Sequence, residues 1–239
     1  MNQIKSRFGI DSFALKMIAI AAMLTDHIGA GIYPTQIWWR VAGRLAFPIF
    51  AFLLCEGYFH TSSVKRYAIR LGVFALISEV PFDLFHNGGL FDANAQNIFL
   101  TLLIGLLTMY LMDRYGRRID GKNGFGSDLF KRSLIMMSGI FLAEFIHSDY
   151  GAFGVATILI FYMLRERRVL ALACVAAANL LYGLLSVSFG YMPTQAFAAA
   201  AVIPIYLYNG KKGHSLKYAF YAFYPAHIAA ITAVKYFIK

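Results

Sequence analysis

Nine apolar runs, at 13–32, 38–59, 67–85, 98–112, 134–146, 151–164, 169–187, 194–208 and 218–237, take up most of the 239-residue chain. A helix uses about 20 residues to cross roughly 30 Å of hydrocarbon, and only a helix or a closed barrel satisfies its backbone there. The runs therefore predict an all-α, polytopic integral-membrane bundle of about nine transmembrane helices, forming a single transmembrane domain over 1–239. The fifth and sixth runs are short, as in tilted or partly re-entrant segments. With 59% hydrophobic against 14% charged residues, an ordinary cytosolic enzyme is excluded. Chemistry must come from polar side chains on the helices or from the short connections.

The net charge of +10 reads as topology rather than nucleic-acid binding, because 16 of the 22 Lys/Arg fall in alternate connections. These are the N-terminal tail, 59–67, 113–133, 165–168 and 209–217. The intervening connections, 33–37, 86–97, 147–150 and 188–193, hold none. The positive-inside rule then predicts a cytoplasmic N-terminus and, with nine spans, an outward C-terminus. Lys235 and Lys239 are the exceptions. The tail lacks a small-residue cleavage site and reads as leading into an uncleaved first span. Cys55 and Cys174 both lie in apolar runs and read as packing residues. The Gly-rich stretch 115–128 is too short for a domain.

Lys16, Asp26, Arg40, Arg44, Glu56, Arg70, Glu79 and Glu144 fall inside predicted spans, where an unpaired charge costs ~2.5–3.5 kcal/mol. Four are basic and four acidic, so they are expected to face inward and compensate one another. Depth at about 1.5 Å per residue sorts them. Arg40 and Asp83 are expected to pair at the outer rim. Asp26, His27, Arg44 and Glu79 share a layer about 8–9 Å below the outer boundary, the candidate reaction layer. Lys16, Glu56 and Arg70 form a second layer near the cytoplasm.

Each residue also has a plainer reading. Arg44 with Glu79 or Asp26 suits an interhelical clamp as well as a substrate ligand. His27 either bonds a backbone carbonyl or serves in catalysis. Asp26 is its neighbour, about 100° away around a helix, so it is expected to pair with Arg44 rather than orient the imidazole. His227, in Tyr224-Pro225-Ala226-His227, sits mid-span where Pro225 loosens the helix. Asn97 and Thr101 share a helix face, with Asn97 placed as an N-cap. The connection His147-Ser148-Asp149-Tyr150 suits a turn or a lid. No zinc, P-loop or dinucleotide signature is present.

Three stretches carry a resemblance. The first runs from Leu15-Lys16-Met17-Ile18-Ala19 to Met23-Leu24-Thr25-Asp26-His27-Ile28-Gly29. The second is Gly43-Arg44-Leu45-Ala46-Phe47-Pro48 with Glu56-Gly57. The third joins Arg70-Leu71 to Ser78-Glu79-Val80-Pro81-Phe82-Asp83, followed by Asn97, Thr101 and Tyr224-Pro225-Ala226-His227. Together they resemble the TraX family, integral-membrane proteins named for a conjugal-transfer protein that acetylates the N-terminus of pilin.

The resemblance implies a multi-pass protein of the bacterial cytoplasmic (inner) membrane. Its activity would be that of an acetyltransferase related to transmembrane acyltransferases, which use an acyl-coenzyme A donor and an early-span histidine. On that reading His27 is the general base, with Asp26, Arg44 and Glu79 beside it. Lys16, Glu56, Arg66 and Arg70, with the basic residues of 113–133, face the acetyl-CoA donor on the cytoplasmic side. Arg40, Asp83, Asn97, Thr101, Asp149, Tyr150, Tyr224 and His227 face the acceptor, a protein N-terminus, lipid or glycan at or beyond the outer face. No metal is expected, and transfer proceeds either directly or through an acetyl-histidine. The alternative is a proton- or ion-coupled transporter using the same charged layer.

Overall fold

The computed structural model describes residues 9–115 and 125–238. Lys5, Arg7, Arg117, Arg118, Lys122 and Lys239, which contribute to the charge argument, lie outside the described residues. Among the described residues the secondary structure is helical, with two isolated β-bridges and no strand. The helices are α1 (Ser12–Gly31), α2 (Ile37–Gly43), α3 (Ala46–His60), α4 (Val64–His86), α5 (Ile98–Tyr115), α6 (Phe125–Phe145), α7 (Gly151–Met163) and α8 (Arg168–Ser188). A 3-10 helix (Thr194–Ala201) then leads into α9 (Val202–Tyr206), and α10 (Lys217–Ile238) ends the chain. Each apolar run thus coincides with helix. Four segments are long and apolar enough to cross a membrane: Ser12–Gly31, Ile37–His60, Ile98–Tyr115 and Arg168–Ser188.

The second run is not one continuous helix. It breaks after Gly43, and Arg44 and Leu45 form a turn before α3. Pro48 accounts for the break. In an uninterrupted helix it would leave the Arg44 carbonyl without a donor and press its ring against that carbonyl; in the first turn of a new helix it costs little.

Helix α4 carries apolar residues on its outward face as well as on its buried one. Ser78 and Asp83 are buried, while Ile69, Val73, Leu76, Ile77 and Val80 face outward, Leu76 with 79% of its surface exposed. A continuous apolar outer stripe, over a buried face where Ser78 and Asp83 lie among Leu71, Ala75, Phe82 and Phe85, suits a lipid surround. In lipid, association comes from packing and polar contacts rather than from a hydrophobic drive between helices. Helix α6 repeats the outer stripe with Phe130, Leu134, Met137, Phe141 and Phe145.

The chain divides into two compact units. Leu54–Met163 forms one, and the described parts of Met1–Leu53 and Leu164–Lys239 form the other, called here the outer-chain unit. In the outer-chain unit Asp11 caps α1, its carboxylate accepting from the Ala14 N–H at 2.8 Å. Helices α1 and α2 approach closely at Gly43, where a Cβ would collide with Asp26. Arg168, first residue of α8, donates to the carbonyls of Ile205, Tyr206 and Tyr208 at the end of α9. The Ile205 carbonyl also accepts from the Tyr208 N–H at 3.2 Å, and a cation suits a helix C-terminus.

In the central unit, Asn97 is the N-cap of α5, accepting from the Phe99 N–H at 3.1 Å. Its amide also donates to the Ala75 carbonyl at 2.8 Å and so ties α5 to α4. At the other end of α5, Asp113 accepts from Tyr58 on α3 and Tyr162 on α7, both at 2.6 Å. The connection 147–150 is a pinned turn rather than a lid. Gln96 and Ser148 form a bridge, Asp149 donates to the Gln96 carbonyl at 2.8 Å, and Thr101 donates to the Asp149 carbonyl.

Candidate active site

The outer-chain unit brings His27 and His227 together across 200 positions of sequence. Both are carried on helices, and their stripes match. Lys16, Ile20, Met23 and His27 recur at intervals of four, three and four on α1, and Phe220, Tyr224 and His227 at four and three on α10. Nε2 of His227 lies 3.0 Å from Nδ1 of His27, with ring centroids 4.9 Å apart. Tyr224 stands edge-on, 6.1 Å from the His27 ring and 5.7 Å from that of His227. Tyr224 is 3% exposed and His227 7%.

The carbonyls beneath the two rings fix where the protons sit. His227 Nδ1 is 2.7 Å from the Phe223 carbonyl, and His27 Nδ1 is 2.9 Å from that of Met23. A carbonyl only accepts, so both Nδ1 atoms carry hydrogen. In a neutral pair, His227 Nε2 is then a lone pair that accepts from the His27 Nδ1–H, which it shares with the Met23 carbonyl. The remaining lone pair of His27 is at Nε2. One imidazole thus orients the other and supports the positive charge that a proton at Nε2 creates, the part a carboxylate plays in a hydrolase triad.

Asp26 takes no part in this pair. Its Oδ2 lies 2.6 Å from Arg40 Nη1, and Arg44 Nη2 reaches Oδ1 at 2.9 Å and Oδ2 at 3.0 Å. The Asp26 and Arg44 side chains are 16% and 15% exposed. The expected Asp26–Arg44 pair is present. The expected Arg40–Asp83 pair is not the one formed: Arg40 binds Asp26, while Asp83 accepts from the Asp92 N–H at 3.0 Å. Arg40 has turned back along α2 toward α1, where Gly43 lets the two helices meet.

Asp26, Arg40 and Arg44 compensate one another as expected, while others of the eight intramembrane charges take different partners. Lys16 Nζ sits 5.4 Å from the Phe220 ring centroid, and the Arg70 guanidinium 5.5 Å from that of Tyr67. Rings, whose faces carry partial negative charge, do what carboxylates were expected to do. Glu144 accepts from the Ala152 N–H at 2.9 Å. Glu56 has no ion pair among the described residues. Arg66, in the first turn of α4, donates to Ser62 at 3.3 Å.

Glu79 belongs to the central unit, where Asn97 donates to its Oε2. Its Oε1 and Oδ1 of Asp83 are buried without a hydrogen-bond partner among the described residues. Asn97, Thr101 and Asp149 are brought together by the cap and the turn described above. Tyr150 closes that turn in the left-handed region, at φ 62°. Of the four residues of the layer drawn from depth, Asp26, His27 and Arg44 belong to one unit and Glu79 to the other.

Sequence reasoning assigned His227 a role in binding the acceptor and did not join it to His27. A signal was present in the repeat Phe220, Tyr224, His227, which puts the imidazole on one stripe with two aromatic residues.

The chain was compared with known proteins. The family model described as TraX protein matches residues 12–235. The probable fimbrial assembly protein FimC, serogroup H1, of Dichelobacter nodosus is 32% identical, covering 95% of this chain and 97% of that protein. An uncharacterized protein of Rickettsia prowazekii (strain Madrid E) is 41% identical over 59 residues, 25% of this chain and 23% of its own. No solved structure matches. With the model running from the first residue of α1 almost to the end of α10, and a relative alike over nearly its full length, the chain belongs to the TraX family.

Proposed function

We propose that this protein is a bacterial inner-membrane acetyltransferase that moves an acetyl group from acetyl-CoA to an amine or hydroxyl acceptor, with His27 as general base. The observation that carries the reading is the His227–His27 hydrogen bond, because it leaves the accepting lone pair of His27 at Nε2. In the proposed reaction the acceptor's proton passes to Nε2 as its nitrogen or oxygen attacks the thioester carbonyl. The tetrahedral intermediate then collapses, the carbon–sulfur bond breaks, and the departing thiolate takes the proton from Nε2. His227 supports the transient imidazolium through Nδ1 of His27. Arg44 and Arg40 are engaged by Asp26, so their role is to hold α2 on α1 beside the site.

Family membership supports the acyl-transfer chemistry, and the relative named for fimbrial assembly favours a pilus or fimbrial subunit as acceptor, with its N-terminal amine as the nucleophile. The loop charges support donor access from the cytoplasm and acceptor access from outside.

The test is acetyl transfer from labelled acetyl-CoA to an N-terminal pilin peptide by the purified full-length protein in proteoliposomes. His27→Ala is expected to lower the rate ~10²–10⁴-fold with the thermal transition unchanged. Full activity in that variant overturns the assignment. The imidazole pair also has the form of a proton relay. If the wild type dissipates a pH gradient in the same vesicles and transfers no acetyl group, the transporter reading replaces this one.

A further inference from the structure

A second polar cluster lies on the same two helices, at their N-terminal ends. The connection after α9 is stitched to the start of α1: Ile10 donates to the Leu207 carbonyl at 3.0 Å, Asn209 to that of Ile10 at 3.0 Å, and Ser12 to that of Lys211 at 2.8 Å. Gly213 lets the connection close over the cap. It has φ +64°, and Asp11 occupies the place where a Cβ would be. His214 rests 5.6 Å from the Phe13 ring. The lysines of this connection are therefore held at the mouth of α1.

Lys16 is half-buried there, its Nζ 5.4 Å from the ring centroid of Phe220, which lies one turn beyond Lys217 on α10, while Lys212 directly follows the Lys211 carbonyl that accepts from Ser12. The nearby acid is Asp11, whose carboxylate already caps α1. Lys16 forms no ion pair among the described residues. Ammonium groups converging in this way create a positive field that draws an anion.

We propose that Lys16, Lys212 and Lys217 bind the phosphate groups of the acyl donor, a nucleotide-linked thioester. The inference rests on the acetyltransferase reading and gives that reaction a donor site. Reach supports it. Lys16 and His27 are eleven residues apart, hence about 20° apart around α1 and roughly 16 Å apart along it. The arm joining the diphosphate to the thioester sulfur is about thirteen bonds long and extends about 15 Å, on the scale of an extended backbone. Phosphates at Lys16 bring the thioester carbonyl to the imidazole pair. The cluster also lies on the side that the loop charges assign to the cytoplasm, where the donor is made.

The experiment measures binding of coenzyme A and of pantetheine, the same arm without phosphates, by titration calorimetry on the full-length protein in detergent. The double variant Lys212→Gln/Lys217→Gln, whose sites are exposed, is compared with Lys16→Met. We expect each to weaken coenzyme A binding by about ten-fold or more and to leave pantetheine binding and the thermal transition unchanged. KM for acetyl-CoA should rise with them at nearly constant kcat.

Unchanged coenzyme A affinity in folded double variant overturns the proposal. So does a loss confined to phosphatidylglycerol vesicles, which would assign the lysines to lipid headgroups. If the wild type binds coenzyme A and His27→Ala abolishes turnover while the lysine variants bind normally, the donor site alone falls. If the wild type binds no coenzyme A, the acetyltransferase reading falls with it.

Discussion

The imidazole pair of the outer-chain unit and the Asp113 tie of the central unit use similar means to different ends. Each joins polar groups from distant parts of the sequence by hydrogen bonds of 2.6–3.0 Å. At Asp113 two tyrosine hydroxyls donate to a carboxylate that only accepts, so every proton has one owner and the result is a fastening. At His27 the chain of donors runs from one ring to a carbonyl and to the next ring. In the neutral pair it ends at Nε2 of His27. The lesson is that a polar contact inside the bundle becomes a candidate for chemistry when its hydrogen bonds fix the tautomer of a titratable group.

Changing the second imidazole should strain this contrast most. His227→Phe removes the acceptor for the His27 Nδ1–H, and acetyl transfer should drop by about 10²-fold in protein that remains folded. His227→Gln can still accept from His27 and donate to the Phe223 carbonyl, so it should recover part of the loss. Equal rates for Phe and Gln in steady-state assays would mean that the second ring merely packs. Next in size is Asp26→Asn, which leaves two guanidiniums without their carboxylate. It should destabilise the protein by about 2–3 kcal/mol, below the full value for a buried pair because Arg40 is 32% exposed. Its effect on turnover per folded molecule should be the smaller one, measured by thermal unfolding alongside activity.

Much of the fold was legible in the sequence because apolar length is a local signal, and nearly every helix boundary falls within a few residues of an apolar run. The break at Arg44 was legible in principle, since Pro48 stands four residues on. The Asp26–Arg44 pair and the Asn97 cap were read from spacing and depth. Less legible were partners that depend on how helices cross: Arg40 with Asp26 instead of Asp83, and His27 with His227. The Asp113 tie was also missed, though depth offered a clue. Tyr58, Asp113 and Tyr162 all lie near the inner ends of the second, fourth and sixth runs. Counting charges alone overlooked hydroxyls and rings as partners, which is why compensation among the eight ionisable residues was overestimated.

Asp113→Asn sharpens the comparison from its structural side. The amide keeps an acceptor for one tyrosine but loses the charge-assisted character of both bonds, so a loss of roughly 1–2 kcal/mol is expected. Acetyl transfer per folded molecule should stay at the wild-type level. A folded Asp113→Asn protein as inactive as His227→Phe would erase the distinction between fastening and chemistry.

The smallest effect is expected at Asp92, in the connection between α4 and α5. The Asn94 backbone N–H, at 2.8 Å, and then the Asn87 amide, at 2.6 Å, hold its carboxylate below the usual aspartate range. A lowered value in the folded state means that this contribution is present above the ordinary value near 3.8 and is lost as pH falls through the folded value. Amide exchange in 87–97, corrected for its intrinsic rate, should therefore stay slow at neutral pH and accelerate only below about pH 4. Asp92→Asn should abolish that step, and constant protection down to pH 3 in the wild type would remove the carboxylate from the account. Because Asp92 is exposed, water serves either of its states, and the change should stay within the connection. In the outer-chain unit the partners of His27 Nδ1 are acceptors and the imidazole is half-buried, and in the proposed reaction a single proton on that ring should decide whether transfer runs.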